Sequence, residues 1–136
     1  MPKRSRRVPA TLGDARNRAT AATAYLEVAE LVLDDDSSGM PGVAAGLAVL
    51  AGIAASDAIC ARNLKEIHRG DDHREAAALL ETATPNGREL ARTLRKLIDL
   101  KDEAHYGLTL VSRTKSRHAV RWATALVDEA RRQVQR

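Results

Sequence analysis

The sequence predicts an all-α fold, a single antiparallel bundle of about five helices, on three observations. The apolar residues are mainly aliphatic or alanine and aromatic residues make up only 2% of the 136 residues, a composition that suits helices better than sheets. Apolar residues recur three and four positions apart, which is the helical period. Clusters of turn-forming residues separate these periodic segments.

The first two helices are separated by the turn-rich stretch DDDSSGMPG. Gly13 and Asp14 open the first predicted helix, which ends near Leu33. Pro41 stands where the first position of the second helix is expected. We expect this second helix to run to about Ile67.

An apolar stretch, VAAGLAVLAGIAA at residues 43–55, dominates the second helix. It is shorter than the run of about 18 apolar residues that a membrane-spanning helix requires. Its many small residues favour close packing between neighbouring helices. The sequence therefore predicts a buried central helix and no membrane association.

Three further helices are marked by capping residues. Asp72 with Glu75, and Asn86 with Glu89, have the spacing of a capping box, and Ser112 can cap the last helix. Gly107 is a predicted C-terminal stop for the fourth helix. The predicted buried faces are Leu90, Leu94, Leu97 and Ile98 on the fourth helix and Ala119, Ala123, Leu126, Val127, Ala130 and Val134 on the fifth.

The positive charge is concentrated at the N-terminus. The net charge is +4, and the chain has 18 basic and 18 acidic residues once Lys3, Arg4, Arg6 and Arg7 are set aside. We therefore divide the chain into a basic, flexible tail (residues 1–12) and a helical domain (residues 13–136). No apolar block follows the charged start as in a signal peptide, so a cytoplasmic location is expected.

Two basic surfaces are candidate nucleic-acid contacts. Arginines of the tail and basic residues of the last helix could bind phosphates, although solubilising or merely solvated roles are common for such residues. The candidates are Arg4, Arg6, Arg7, Arg113, Lys115, Arg117 and Arg121.

The segment LIDLKDEAHYG carries the strongest candidate site. Lys101 and His105 are four residues apart on the fourth helix, on or beside its buried face, where both need polar neighbours or a partner chain. Asp57 is a carboxylate on the most apolar helix, where an unpaired charge is costly. We predict that Asp57 pairs with Lys101, with His105 or with a backbone cap, as a catalytic group or as a structural hydrogen bond.

The order of three segments resembles that of HEPN domains, which are small helical bundles often encoded beside nucleotidyltransferases in toxin–antitoxin pairs. These segments are SDAICA, GDDHREAAALL and LIDLKDEAHYG, followed by a basic-acidic helix with Trp122. The resemblance implies a metal-independent ribonuclease that forms a homodimer. It also implies acid–base chemistry on an RNA 2′-hydroxyl, with His105 moving the proton and Lys101 stabilising the phosphate.

Two departures from the family pattern affect this interpretation. The family pairs an Arg with the His, whereas Lys101 lacks the forked geometry of a guanidinium. An Arg-to-His match occurs instead at Arg62 and His68, but in an unbroken helix these side chains would point about 120° apart. Tyr106 stands near a position where some family members carry a modifiable tyrosine.

The sequence thus leaves three hypotheses open. The first is a HEPN-like protein that binds or cleaves RNA, with a nucleotidyltransferase-type antitoxin as partner. The second is a non-catalytic helical module that dimerises or binds a partner protein. The third is a nucleic-acid-associated protein acting through its basic tail. Cofactor motifs and closely spaced metal ligands are missing from the sequence, so no cofactor and no metal are expected.

Overall fold

The computed structural model describes residues 6–35, 37–106 and 110–136, apart from the side chains of residues 104–106. Helices form nearly all the regular structure in this part of the chain, which confirms the predicted all-α bundle. They are α1 (Leu12–Leu33), α2 (Met40–Leu64), α3 (His73–Ala83), α4 (Gly87–Tyr106) and α5 (Arg113–Val134). Two short strands, β1 (Arg7–Pro9) and β2 (Glu66–His68), pair antiparallel.

Side-chain caps define where several helices begin. Thr11 and Asp14 form a capping box at α1: each side chain accepts a hydrogen bond from the other residue's backbone N–H, at 3.0 Å and 2.8 Å. Asp72 and Ser112 are confirmed as the N-cap residues of α3 and α5, accepting from the N–H of Arg74 and of Lys115, but Asp72 does not form the predicted capping box with Glu75. The predicted stop at Gly107 lies outside the described residues.

Helix α2 lies at the centre of the bundle and packs against the four other helices. It is long and apolar enough to cross a membrane, but 67% of its most apolar window is buried inside the domain, as the packing of a central helix requires. Gly52 allows the close approach of α4 and α5: a Cβ at this position would lie 2.5 Å from Leu97 Cδ1 and 3.3 Å from Leu126 Cδ1. The predicted buried faces of α4 and α5 also pack into this core, with Val134 only partly buried.

The end of α2 differs from the prediction. The helix ends at Leu64 rather than near Ile67, because Lys65 adopts a left-handed conformation with φ of 55°. The chain then continues as β2, in which Ile67 is buried by strand pairing rather than on a helix face. A lysine gives no sequence signal for this conformation, which glycine usually adopts.

The predicted flexible tail is also corrected over residues 7–12. β1 pairs with β2, the backbone N–H of Ala10 donates to the carbonyl of Lys65 at 2.9 Å, and Ala10 packs with Ile67 in a small second core. Thr11 already caps α1. These residues therefore belong to the folded domain, while residues 1–5 lie outside the described part of the chain.

Candidate functional site

Lys101, the predicted basic member of the site, lies in a polar cleft between the start of α3 and the second half of α4. The cleft has a volume of about 210 Å³. We call it the α3–α4 cleft, and it is lined by Asp71, Asp72, His73, Arg74, Ile98, Lys101 and Asp102. It brings together two of the segments on which the family resemblance rests, GDDHREAAALL and LIDLKDEAHYG.

Short contacts fix the α3 side of the cleft. Asp72 Oδ1 accepts a hydrogen bond from the backbone N–H of Arg74 at 3.0 Å, which orders the first turn of α3. The guanidinium of Arg74 then reaches α4, with Nη2 2.8 Å from Asp99 Oδ1 and 3.5 Å from Asp102 Oδ2. Arg74 therefore neutralises part of the negative charge on α4 and bridges the two walls of the cleft through exposed ion pairs.

The surroundings of His73 in the cleft favour the neutral form of its imidazole. Burial lowers the pKa of its imidazole, and the positive charges of Lys101 and His68 lower it further, against the opposing effect of Asp72 and Asp102. The neutral imidazole is thereby favoured at neutral pH. The cleft thus holds a candidate general base close to a cation.

Lys101 itself is half-buried, next to the buried Ile98. Among the described side chains it forms no ion pair within 4 Å, so its ammonium group is not neutralised by direct contact. Its predicted partner His105 and the weaker candidate Tyr106 belong to the last turn of α4. The side chains of both residues lie outside the described part of the structure, so the predicted Lys101–His105 couple stays a prediction.

Asp57 needs a polar partner, as predicted, but that partner is Arg18 of α1 rather than Lys101. Arg18 Nη2 lies 3.0 Å from Asp57 Oδ2, and Nε donates to the same oxygen at 3.2 Å. Burial nevertheless raises the pKa of Asp57, and the nearby Arg18, Arg69 and His68 only partly offset this effect. The prediction failed because α1, rather than α4, packs against this part of α2, and the Arg18 contact gives Asp57 a structural role.

Arg62 and His68 lie on either side of the end of α2, a break that could in principle have let them meet. The structure gives them different surroundings. Arg62 Nη2 donates to the carbonyl oxygen of Arg136 at 3.1 Å. His68 is 8% exposed and lies against Gly70, and neither of its ring nitrogens has a hydrogen-bond partner among the described residues. This weaker candidate pair therefore does not form a joint site.

The predicted nucleic-acid-binding residues differ in their exposure and in their contacts. Arg4 lies outside the described residues, Arg6 directly precedes β1, and Arg7 is the first residue of β1; both Arg6 and Arg7 are exposed. Arg113 donates to the carbonyl of Asp34, and Lys115 pairs with Glu103. Two arginines four residues apart on α5 keep exposed guanidinium groups without an ion pair in the described part of the chain; they are Arg117 and Arg121.

Metal and thiol chemistry find little support in the described residues. Their His, Cys, Asp and Glu side chains form no group of three that could hold a metal ion. Cys60 is buried in the core, as expected, and burial raises the pKa of its thiol to about 12, with the charge of Asp57 adding to the effect. The thiol is therefore protonated at neutral pH and is not a nucleophile.

His73, Arg74 and Arg18 were not among the sequence-predicted site residues. His73 did carry a signal, because it directly follows the capping residue Asp72 and is therefore held in the first turn of α3. The closeness of His73 to Lys101 depends on how α3 packs against α4, which local spacing does not specify.

Comparison with known proteins does not assign the chain to a family. The chain matches no protein-family model and no curated protein. The resemblance to HEPN domains therefore stays a prediction from the sequence.

Proposed function

We propose that this helical domain binds RNA and cleaves it without a metal ion, with the α3–α4 cleft as the catalytic site. The observation that carries the proposal is the placement of Lys101 beside an imidazole, that of His73, whose neutral form is favoured by burial and by Lys101. A base and a cation in one small cleft are two of the groups that transesterification of RNA uses. Under this proposal the domain is toxin-like, with a nucleotidyltransferase-type antitoxin as partner.

The proposed reaction uses these groups in fixed roles. The neutral imidazole of His73 removes the proton from an RNA 2′-hydroxyl, and the 2′-oxygen attacks the adjacent phosphorus. The bond from phosphorus to the 5′-oxygen breaks, and that oxygen takes a proton from an acid, for which His105 is the candidate on the basis of the family resemblance. Lys101 stabilises the negative charge that develops on the phosphoryl oxygens. The products are a 2′,3′-cyclic phosphate and a free 5′-hydroxyl.

The charge balance of the cleft indicates that RNA affinity must come partly from elsewhere. Asp71, Asp72 and Asp102 line the same cleft as Lys101, and Arg74 is already paired with Asp99 and Asp102. Such a cleft positions one phosphate and repels a long polyanion. The exposed Arg117 and Arg121 of α5 are suited to bind the remaining phosphates.

The test is incubation of purified protein with structured RNA in excess chelator, followed by analysis of the product ends. We expect cleavage by the wild type. The rate should fall about 100- to 10,000-fold in His73→Gln and His105→Ala, which remove a base or an acid. Lys101→Gln should lose about 100- to 1,000-fold. Arg92→Gln is the matched control, since Arg92 is an exposed cation of the same helix that does not line the cleft.

The outcomes separate the parts of this proposal. RNA binding without cleavage would reduce the function to binding alone. Cleavage that persists in both His73→Gln and Lys101→Gln would remove the α3–α4 cleft from the mechanism. If addition of chelator stopped RNA cleavage, the proposed metal-independent reaction would be wrong.

Exposed apolar side chains on α1 and α2 favour a second candidate, a helical module that forms a homodimer. Leu31 is 78% exposed, and Val28, Val43 and Leu50 are each nearly half exposed. Val28 and Leu31 precede the connection between α1 and α2, and Val43 follows it. Exposed apolar residues grouped in this way are typical of protein contacts.

Light scattering after size exclusion tests this second function. A homodimer is expected for the wild type and a monomer for Leu31→Glu, since Leu31 is the most exposed residue of this group. Leu12→Glu is the control, because Leu12 is also exposed but lies at the other end of α1. A monomeric wild type would rule out dimerisation through this face.

A further inference from the structure

The only tryptophan of the sequence borders a second cavity, which no part of the proposed reaction uses. This cavity, the Trp122 pocket, lies between the second half of α4 and the first half of α5 and has a volume of about 330 Å³. It is lined by Lys96, Asp99, Leu100, Glu103, Lys115, His118 and Trp122. It combines an aromatic ring, an aliphatic wall and charged groups of both signs.

The indole of Trp122 is held in place before any ligand arrives. Trp122 is partly buried and packs against the main core, so one part of the ring is fixed. The imidazole of His118, one turn earlier on α5, lies 5.9 Å from the indole with an angle of 42° between the ring planes. The ammonium of Lys96 lies 5.7 Å from the indole centroid, within the range of a cation–π contact. The indole is therefore held in a fixed orientation at the edge of the pocket, and a stacked ligand would take the place of the Lys96 ammonium on its face.

The chemistry of the lining favours one class of ligand. A flat, uncharged heterocycle can stack on the indole and contact Leu100. The carboxylate of Asp99 at the rim can accept a hydrogen bond from an exocyclic amine of that ring. Lys115 is already paired with Glu103, whereas Lys96 has no ion pair among the described residues and can contact a phosphate attached to the same ligand once the stacked base displaces it from the ring. A nucleobase within a nucleic-acid strand has all three features.

The Trp122 pocket adjoins the α3–α4 cleft across the surface of α4. Asp99 lines the pocket, and Arg74, which binds Asp99 at 2.8 Å, lines the cleft. One ion pair thus separates the two cavities. Arg117 and Arg121 are exposed on α5 and directly precede the pocket residues His118 and Trp122 in sequence.

We propose that the Trp122 pocket binds an unpaired nucleobase of single-stranded RNA by stacking, while a neighbouring phosphate occupies the α3–α4 cleft. This inference rests on the proposed RNA-binding function and adds a preference for single strands to it. In a duplex the bases are stacked on each other and cannot enter a side pocket. Base stacking on an aromatic side chain is tolerant of sequence, so the pocket selects for an unpaired strand rather than for one base.

Intrinsic fluorescence tests the proposal directly, because Trp122 is the only tryptophan. A short single-stranded 2′-O-methyl RNA, which cannot be cleaved through its 2′-oxygen, is titrated into the full chain. Binding is followed in parallel by the anisotropy of a dye on a second sample of the same RNA. We expect tryptophan quenching and anisotropy to saturate over the same concentration range. A matching duplex and a strand with abasic sites should give little quenching.

Variants of the pocket distinguish base stacking on Trp122 from electrostatic attraction between the protein and RNA. Trp122→Leu should weaken single-strand binding about 5- to 100-fold, whereas Trp122→Phe should retain most of it. Since Trp122 also contacts the core, His118→Ala provides a second variant at an exposed position that should weaken binding without loss of folding. Circular dichroism confirms that each variant is folded.

Different results would overturn the pocket proposal alone or together with the proposed RNA-binding function. RNA binding by anisotropy with unchanged tryptophan fluorescence, and with equal affinity in Trp122→Leu, would overturn the pocket proposal and leave RNA binding intact. Equal or tighter binding of the duplex would overturn it as well. No binding of any RNA would overturn both the pocket proposal and the proposed function.

Discussion

Arg18 of α1 binds Asp57 of α2 through a 3.0 Å contact between Nη2 and Oδ2. The pair joins a point near the start of α1 to a point in the last third of α2, and thereby fixes how these two long antiparallel helices align. The Asp57 side chain is 14% exposed and that of Arg18 35%, so the carboxylate is the group that depends on its partner.

Removal of Arg18 should therefore destabilise the domain more than removal of both partners. Arg18→Gln leaves a largely buried carboxylate without its cation, which we expect to cost about 1–3 kcal/mol in the free energy of unfolding. Adding Asp57→Asn should recover most of that loss, because the remaining pair is uncharged. Urea unfolding of the two single variants and the double variant measures the coupling. Strictly additive effects would show that the pair does not interact.

The same pair predicts a pH dependence. Burial raises the pKa of Asp57 above its ordinary 3.8, so the folded chain binds this proton more tightly than the unfolded chain. The contribution of Asp57 to stability is therefore fully present below pH 3.8 and is lost as the pH rises through the folded-state pKa. In unfolding measurements at several pH values, the stability of wild type relative to Asp57→Asn should fall as the pH increases. A rise would contradict the assignment.

His73 should titrate below its ordinary pKa of 6.5. Its contribution to stability is present above pH 6.5 and is lost as the pH falls through the lowered folded-state pKa, because the unfolded chain then binds the proton first. An NMR titration of the His73 ring measures this pKa. Lys101→Gln should raise it towards the ordinary value, and the control Arg92→Gln should leave it unchanged. An identical His73 titration in Lys101→Gln would show that Lys101 does not act on the imidazole.

Two glycines of α2 should respond to alanine in opposite directions. At Gly52 a Cβ would lie 2.5 Å from Leu97 Cδ1, inside the packed core, so Gly52→Ala should destabilise the domain by about 1–3 kcal/mol. At Gly46 a Cβ would have no neighbour within 4 Å, and Gly46→Ala should stabilise by about 0.5–1 kcal/mol through helix propensity. Thermal and urea unfolding measure both changes. Equal effects would contradict the close packing of α4 on α2.

Two N-terminal deletions should distinguish the contribution of residues 1–5 to stability from that of β1. Deleting residues 1–5 removes Lys3 and Arg4 and should leave the unfolding midpoint unchanged. Deleting residues 1–10 also removes β1 and the buried Ala10, and we expect a loss of about 2–4 kcal/mol from lost burial and backbone hydrogen bonds. If both deletions were equally stable, residues 7–10 would not be part of the folded domain.

Local sequence features predicted the helices well and their partners poorly. The cap at Ser112 and the buried face of α5 follow from spacing within one helix, and both are confirmed. The strands β1 and β2 are only three residues each, too short for an alternating pattern of their own, and the whole of α1 and α2 separates them in the chain. The left-handed Lys65, which ends α2, had no sequence signal at all.

In the candidate site, too, features within one helix could be predicted from the sequence, whereas contacts between helices could not. Lys101 could be identified from the sequence because it lies beside the predicted buried face of α4. Asp57 was correctly predicted to have a polar partner, because burying an unpaired carboxylate on α2 is costly. Which groups met was decided by helix packing: α1 supplies Arg18 to Asp57, and α3 brings His73 to Lys101. Contacts between helices depend on the whole bundle, and spacing within one helix does not encode them.

The proposed reaction requires an RNA phosphate to bind next to Lys101 and His73, and the pKa of His73 measured with and without RNA shows whether it does. The negative charge of a bound phosphate favours the imidazolium form. We predict that a saturating amount of single-stranded 2′-O-methyl RNA raises the pKa of His73 in the wild type and that Lys101→Gln needs more RNA for the same change. RNA that binds the protein but leaves the His73 titration unchanged would contradict the account.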